Sequence, residues 1–599
     1  MTITQSGVAP QKLLRVWPAI VIVLLQWISR FGVKAVIPGI EGFGQGMMGS
    51  FAFTILLIIW WAFFSRARWK ERLGALGLMA AALGVAWLFR HESMWVLWLV
   101  GYAVPILSLA FVLWAVITRK MPDRVRHATM VATILITCLV WLCFRTNGIN
   151  GDHVATFGWR WTASVEEKLL AESSNEPANS TAPATTTAVT ATPTPAASPS
   201  ASASPVKESA APAPTVNQRQ AEWPGFRGPR RDGIVHGVKI KTDWSAAPPV
   251  QLWRRPIGPG WSSFAVNGDV FYTQEQRGDK EVVACYKMNT GQPVWSHTDN
   301  ARFFESNAGA GPRATPTLSN GRVYTFGATG ILNVLDATSG AVVWTRDVAK
   351  DTNTQLPFWG FASSPLVMGD EVIVAASGQL AAYDAASGNR RWLGPRAGGS
   401  YSSPQLVTIT GVEQILLMSG AGATSVSPAD GKQLWQHAWG GSSIVQPQLT
   451  GDGDVVITSQ ENGARRLAVT NGAAGWSVAE RWTSNALKPY FNDFVVHKGY
   501  AFGFDGRILS CIDLKDGQRK WKGGRYGNGQ LVLLADQDLL IVLSEEGELV
   551  LVQASADQFT EIAKLPAIQG KTWNHPVLVG DVLLVRNSEE MAAFRVARL

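Results

Sequence analysis

The chain has 599 residues, too many for one ordinary domain. Its 53 Lys and Arg exceed its 45 Asp and Glu, yet residues 1–220 hold 18 basic against 10 acidic side chains while residues 221–599 hold 35 of each. The charge excess therefore belongs wholly to the N-terminal part, and the balanced remainder gives no electrostatic reason to expect a nucleic acid partner.

The four cysteines, Cys138, Cys143, Cys285 and Cys511, form no CxxC and no paired framework. Neither a zinc site nor a disulfide scaffold is indicated, and free thiols are expected.

Five apolar runs come first, at about Leu13–Phe31, Met47–Phe64, Leu73–Phe89, Met94–Ile117 and Ala128–Phe144. Each is about long enough to cross a hydrocarbon core of ~30 Å, and the first reads as a span rather than a removable signal. Lys12, Arg15, Arg66, Arg68, Lys70, Arg72, Arg119, Lys120, Arg124 and Arg126 fall on one side of these runs; the alternate loops hold only Arg30, Lys34 and Arg90, with Arg145 after the last. The asymmetry puts the N-terminus in the cytoplasm and everything after Phe144 outside it. No ionisable residue is expected in mid-span, so residues 1–145 read as an anchor rather than a transporter. Trp60, Trp61, Trp141, Trp159 and Trp161 fit an aromatic belt at the interface.

Residues 146–172 form a short segment outside the membrane. Ser164 to Glu167 has the form of a capping box opening a helix that runs to about Ala171. Residues 173–221 are Ala, Thr, Ser and Pro with almost no large apolar side chain, a composition expected to stay disordered as a semi-extended linker.

From Glu222 the chain turns to Gly, Trp and short β-type runs. A strand, a turn with Asp and Gly, and a strand carrying Trp recur. Ile331–Trp344 is one instance, and others end at Trp295, Trp392, Trp435 and Trp521; in all five a Gly stands four residues before the Trp. From Trp253 to Trp521 the tryptophans are spaced by 39 to 49 residues, and Phe559 takes the place after another 38. That period marks a β-propeller. Eight blades are expected, beginning near Trp261, Ala314, Ala362, Ser400, Ser443, Tyr490, Tyr526 and Thr572. The fifth and seventh match the repeat least well. The last lacks its Trp strand, and the orphan strand Val250–Pro256 is expected to supply it and close the ring. The fold class is an all-β eight-bladed β-propeller over 222–599, preceded by an α-helical membrane domain of five transmembrane helices.

These repeats resemble the PQQ-binding-like, quinoprotein-type propeller family. The opening Trp223-Pro-Gly-Phe-Arg-Gly-Pro-Arg-Arg-Asp-Gly233 is similar to that family, as are Gly311–Thr317, Trp359–Pro365 and Tyr401–Leu406. The resemblance implies one of two branches. BamB-like propellers hold protein partners through blade loops without catalysis. Quinoprotein dehydrogenases oxidise an alcohol or sugar with pyrroloquinoline quinone and calcium. The 38–49-residue blade intervals leave little room for the long insertions of the dehydrogenases, and no motif matches their catalytic carboxylate or calcium ligands.

Site candidates are taken from the central funnel, where the first strands and their preceding loops converge: Arg313, Trp359, Tyr401, Gln446, Asn492, Asp493, Asn574 and His575. Asp493 and His575 could form an acid–base pair or help hold a cation, and Arg313 could pair with a carboxylate or a quinone. All could equally hydrogen-bond neighbouring blades. No catalytic or metal-ligating residue is assigned. The recurring tryptophans read as packing between blades, and Asp336, Asp384 and Asp513 as turn residues. Two functions stay open. The chain is a multi-pass protein of a bacterial inner membrane whose periplasmic propeller recruits a protein or envelope component, or it is a PQQ-dependent membrane-bound dehydrogenase.

Overall fold

The computed structural model describes residues 14–37, 39–150, 154–173 and 221–599. The linker expected over 173–221 lies outside them except for its two ends.

Among the described residues four helices are long and apolar enough to cross a membrane: Gly42–Phe64, Trp69–Phe89, Val96–Ile117 and Asp123–Cys143. The first helix, Trp17–Gly32, is shorter, but the chain stays helical through Val33–Val36. Charge sits at helix ends, as the sequence suggests. Glu71 pairs with Arg126 at 2.6 Å and with His127 at 2.8 Å where two helices begin. Arg30 departs from the expected pattern. It is fully buried inside the helical run, donates to the Gly101 carbonyl at 3.1 Å, and is flanked by the rings of Phe31, Phe43 and Tyr102. Trp60, Trp61 and Trp141 do not form a belt but lie buried in the bundle. Trp60 and Trp61 donate to the carbonyls of Arg15 and Arg72, satisfying backbone groups that apolar surroundings would leave unpaired.

After the last helix the chain forms an antiparallel pair, Phe144–Ile149 with Ala155–Trp159, that the sequence did not announce. The capping box follows. Ser164 N–H donates to Glu167 Oε2 at 2.6 Å, Glu167 N–H donates to Ser164 Oγ at 3.0 Å, and the helix spans Val165–Ser173.

Eight antiparallel sheets make the propeller. Blade 1 runs from Ala265 to Asp299, blade 2 from Thr317 to Asp347, blade 3 from Leu366 to Leu393 and blade 4 from Gln405 to His437. Blade 5 runs from Gln448 to Ser484, blade 6 from Val495 to Arg525 and blade 7 from Gln530 to Pro566. Blade 8 takes three strands from Val577 to Arg595 and its fourth from Val250–Pro256, with Trp253 opposite Ala593. The ring closes as expected, and no sheet edge is left at the junction. Blade 7 departs from four strands, because Ile234–Val235 adds a fifth, parallel to Gln530–Leu534.

Middle strands such as Leu539–Leu543 and Val582–Arg586 are buried throughout, since each blade covers its neighbour's face. Ile373, Leu380 and Trp392 of blade 3, for example, pack with Ile415, Leu417 and Val426 of blade 4. The recurring Gly and Trp connect blades by one contact. Trp295 Nε1 donates to the Ala337 carbonyl in the next blade at 3.0 Å, and Gly340 of that blade lies on its ring. Trp253 meets Met288 and Gly291 in the same way, Trp344 meets Ala385 and Gly388, and Trp482 meets Leu514 and Gly517. Blade 5 lacks the Asp/Gly turn, so Trp435 donates instead to Gln414 Oε1 in its own blade. Asp336 and Asp384 hold their turns by accepting from the backbone N–H groups two and three residues on, and Asp513 accepts from the N–H two residues on. All four cysteines are free; Cys285 and Cys511 occupy equivalent places, opposite Trp295 and Trp521.

The segment Trp223–Gly233 enters the central channel and ties distant blades together. Trp223 bridges to Val266, and the Pro224 carbonyl accepts from Leu318 N–H. Arg231 donates to the carbonyls of Ser364 and Pro365, and Arg227 to that of Phe494 at 2.6 Å. A third buried arginine secures the closure: Arg586 of blade 8 donates to Thr273 Oγ1 at 2.6 Å and to the Gln274 carbonyl at 2.9 Å in blade 1.

A Cβ at Gly340 would stand 2.5 Å from Trp295 Cε3, whereas one at Gly369 meets nothing within 4 Å; both have positive φ. The left-handed conformation penalises alanine at both, by ~1–2 kcal/mol. Gly340→Ala is expected to cost about 1–3 kcal/mol more than Gly369→Ala, because only it forces the indole out of place. Urea unfolding of the two variants checks the difference.

Candidate functional site

The loop leading into each first strand ends in a three-residue step that repeats around the ring. In blades 1, 4, 6 and 8 it reads Trp261-Ser-Ser263, Tyr401-Ser-Ser403, Phe491-Asn-Asp493 and Trp573-Asn-His575. Extended backbone sends successive side chains to opposite sides. The first positions and, except for Ser263, the third positions line a central cavity of about 190 Å³, and the second does not. Arg313, Ala362 and Ile444 hold the first position in other blades; Thr315, Ser364 and Gln446 hold the third. The outcome is an upper, largely aromatic ring above a lower polar ring.

This alternation sorts the sequence candidates. Arg313, Trp359, Tyr401, Gln446, Asp493 and His575 line the cavity. Asn492 and Asn574 stand in the second position and point away. Asn492 Nδ2 donates to the Gly529 carbonyl at 2.7 Å, and Asn574 Nδ2 to that of Ser262 at 2.7 Å, each bonding the next blade.

The aromatic arc is continuous. Ring centroids lie 4.7 Å apart for Trp261 and Trp573, 4.8 Å for Trp573 and Phe491, and 5.1 Å for Phe491 and Tyr490. Trp359 stands 6.3 Å from Tyr490 and 4.9 Å from Tyr401. Sequence reasoning passed over Trp573, Phe491, Phe226 and Lys571. The aromatic-polar-polar triplet was the signal for the first two; Phe226 and Lys571 carry none.

The charged groups around the cavity are closed on one another. Asp493 Oδ1 accepts from Gln446 N–H at 2.8 Å and lies 3.4 Å from Arg227 Nη1; Oδ2 lies 3.2 Å from His575 Nε2. Burial alone would push Asp493 up, but Arg227 and His575 outweigh it and hold its carboxyl below the usual carboxylate range. Burial pulls His575 down, so the imidazole is neutral near pH 7. Arg313 is spent within its own loop and on the loop before the next blade. Its nitrogens donate to Glu305 Oε1 at 3.2 Å, the Gly309 carbonyl at 2.9 Å and the Trp359 carbonyl at 3.2 Å. Burial draws Arg313 down to about 10, still cationic at neutral pH. No group of three or more His, Cys, Asp or Glu that could hold a metal ion occurs among the described residues.

A family model described as outer membrane protein assembly factor BamB matches residues 247–413 and 419–598, together more than half of the chain. The chain belongs to this BamB family. The BamB of Burkholderia pseudomallei is 27% identical over 185 residues, 30% of this chain and 45% of the relative, so this chain spans less than half of that protein's length. The BamB of Yersinia pestis is 24% identical over 333 residues, 52% of this chain and 72% of the relative. Among solved structures, BamB from Moraxella catarrhalis is 15% identical with a TM-score of 0.43, covering 58% of this chain and 97% of its own. The quinohemoprotein alcohol dehydrogenase ADHIIG of Pseudomonas putida HK5 is 13% identical with a TM-score of 0.45, covering 63% and 81%.

In this BamB-family propeller the pair Asp493–Arg227 pins the opening segment in the channel. Asp493→Asn leaves the Arg227 cation buried without a counter-charge and is expected to cost about 3–5 kcal/mol. Acid acts through the same groups. Below about pH 6.5 an unfolded histidine protonates while folded His575 stays neutral, and below about pH 4 an unfolded carboxyl protonates while folded Asp493 stays ionised. Both make the unfolded chain bind more protons. The melting temperature should therefore fall on acidification in those two windows, and Asp493→Asn should flatten the lower one.

Proposed function

We propose that this chain is a membrane-anchored binding and scaffolding module whose propeller receives a protein partner. One observation carries this reading: the charged groups around the cavity are paired inside the protein, while an arc of aromatic faces lines it. Such a site takes up apolar and aromatic side chains and offers no spare acid, base or nucleophile. The names of the matched relatives, outer membrane protein assembly factors, support a partner from the bacterial envelope. The charge asymmetry of the loops supports an N-terminus in the cytoplasm and a propeller in the periplasm, anchored at the inner membrane.

A quinone with calcium does not fit these residues. Calcium takes six to eight oxygen ligands, usually with several carboxylates. Asp493 is the one carboxylate in the two rings, and Arg227, His575 and Gln446 already hold it. The carboxylates of pyrroloquinoline quinone would need a free cation, and Arg313 is closed by Glu305 and backbone carbonyls.

Calorimetric titration of pyrroloquinoline quinone into the detergent-solubilised full chain with calcium present tests the choice. The expected result is no heat and no shift in melting temperature. Micromolar binding lost on Phe491→Ala would overturn the scaffold reading in favour of a dehydrogenase. In the complementary experiment, a photo-reactive benzoylphenylalanine replacing Tyr401 in cells should yield a discrete adduct with an envelope protein.

A further inference from the structure

The cavity has a roof, and the chain supplies it. Ile149 and Asn150, at the end of the strand that follows the last membrane helix, line the cavity mouth. The Ile149 N–H donates to the Asn307 carbonyl at 2.9 Å, and the Ile149 carbonyl accepts from Lys571 Nζ at 2.9 Å. Both backbone groups of one extended residue are thus held by the rim. Gly148 permits the approach: its φ is +87°, and a Cβ there would stand 2.7 Å from the Asn307 oxygen. Lys571 is set to make its bond, with its ammonium 4.3 Å from the Trp573 ring and 5.2 Å from that of Trp261, both members of the upper ring.

Further contacts hold the same face. Glu166, on the helix after the strand pair, bonds Arg302 at 2.8 and 3.2 Å and accepts from Gly278 N–H at 2.8 Å. Trp95 at the start of a membrane helix meets Phe358. The Ile149 side chain points the other way, into Phe43, Met47 and Trp98 of the membrane helices. The rim therefore reads the backbone of its own membrane-proximal strand, while the Ile149 side chain packs among the helices.

We propose that this rim is a docking site for an extended peptide segment of a protein partner, and that the strand Phe144–Ile149 covers it in cis. A partner strand takes over the bonds to Asn307 and Lys571 and places an apolar or aromatic side chain in the cage, which is recognition of an exposed strand through its backbone. The cis strand competes at high effective concentration, because residues 174–220 join it to the propeller. Partner binding and docking of the propeller onto its membrane helices then exclude each other. The inference rests on reading the cavity as a protein-binding site.

The test uses the full chain in lipid nanodiscs. Gly148→Val drives the strand off the rim through its Cβ, and Ile149→Pro removes the donated N–H. Acylation of Lys571, followed by mass spectrometry against exposed Lys515, reports uncovering; fluorescence anisotropy of a labelled peptide of sequence FRTNGIN reports binding. The expected result is a Lys571 protected in the parent chain and reactive in both variants, with peptide affinity at least tenfold higher in the variants and lost again on adding Lys571→Met. Lys571 reacting as fast as Lys515 in the parent chain, or staying protected in both variants, would overturn the cis cover. Variants with an exposed Lys571 that bind the peptide no better than the parent would overturn the peptide site, and would do so without touching the scaffold reading, which the quinone titration decides separately.

Discussion

One contact between neighbouring blades, repeated around the ring, carries the propeller. An indole N–H crosses to a carbonyl of the next blade, and a glycine of that blade lies flat on the indole. The contact asks for Trp on the outer strand, for a turn that presents its carbonyl outward, and for Gly where any Cβ would strike the ring. At Trp253, Trp295, Trp344 and Trp482 one blade gives its Trp forward and the next receives it on its Gly, so these blades are not complete alone. Strand Val250–Pro256 follows from that logic: without Trp253, blade 1 would have no indole under Gly291 and blade 8 no outer strand.

This explains which parts of the fold were legible in the sequence. A contact made many times leaves a period, and the spacing of Trp253 to Trp521 exposed the blades, their number and the closing strand. Contacts made once leave no period. Arg227 and Arg231, threading the channel, and Arg586, joining blade 8 to blade 1, look in sequence like any surface arginine, yet all three are buried. The strand pair after the last helix was hidden for a different reason. Phe144–Ile149 and Ala155–Trp159 are short and lack alternation, and they owe their place to the helices they pack on and, at Ile149, to the rim, rather than to propensity.

The candidate site was half legible on the same grounds. Polar residues gathered before the first strands were found, but in adjacent pairs, and an extended chain turns adjacent residues to opposite sides. Asn492 and Asp493 therefore part company, one to the next blade and one to the channel, as do Asn574 and His575. Of the two readings open for Arg313, pairing with a carboxylate or quinone and bridging two blades, the second matches its bond to the Trp359 carbonyl, while Glu305, eight residues earlier in the same loop, supplies its counter-charge. Of the aromatic residues at the first position Tyr401 is a sequence candidate, whereas Trp261 reads as a blade beginning and Phe491 and Trp573 carry no mark, since a hydrophobic residue at a strand start is ordinary. Only the arrangement in a ring turns Trp261, Tyr401, Phe491 and Trp573 into a surface.

The polarity of the two rings bears on how such a cavity works. The lower ring and the channel segment hold the buried charges, where Asp493 and Arg227 satisfy each other and fix Phe226 beneath the cage. The upper ring holds the aromatic faces and Lys571, at the mouth. Charge in the lower layer secures the opening segment, which is held from several blades at once. Lys571 is the exception that faces outward, bonded to a backbone carbonyl of the membrane-proximal strand. A lysine between two indoles that donates to a main-chain carbonyl holds extended chain by its backbone and not by a particular side chain.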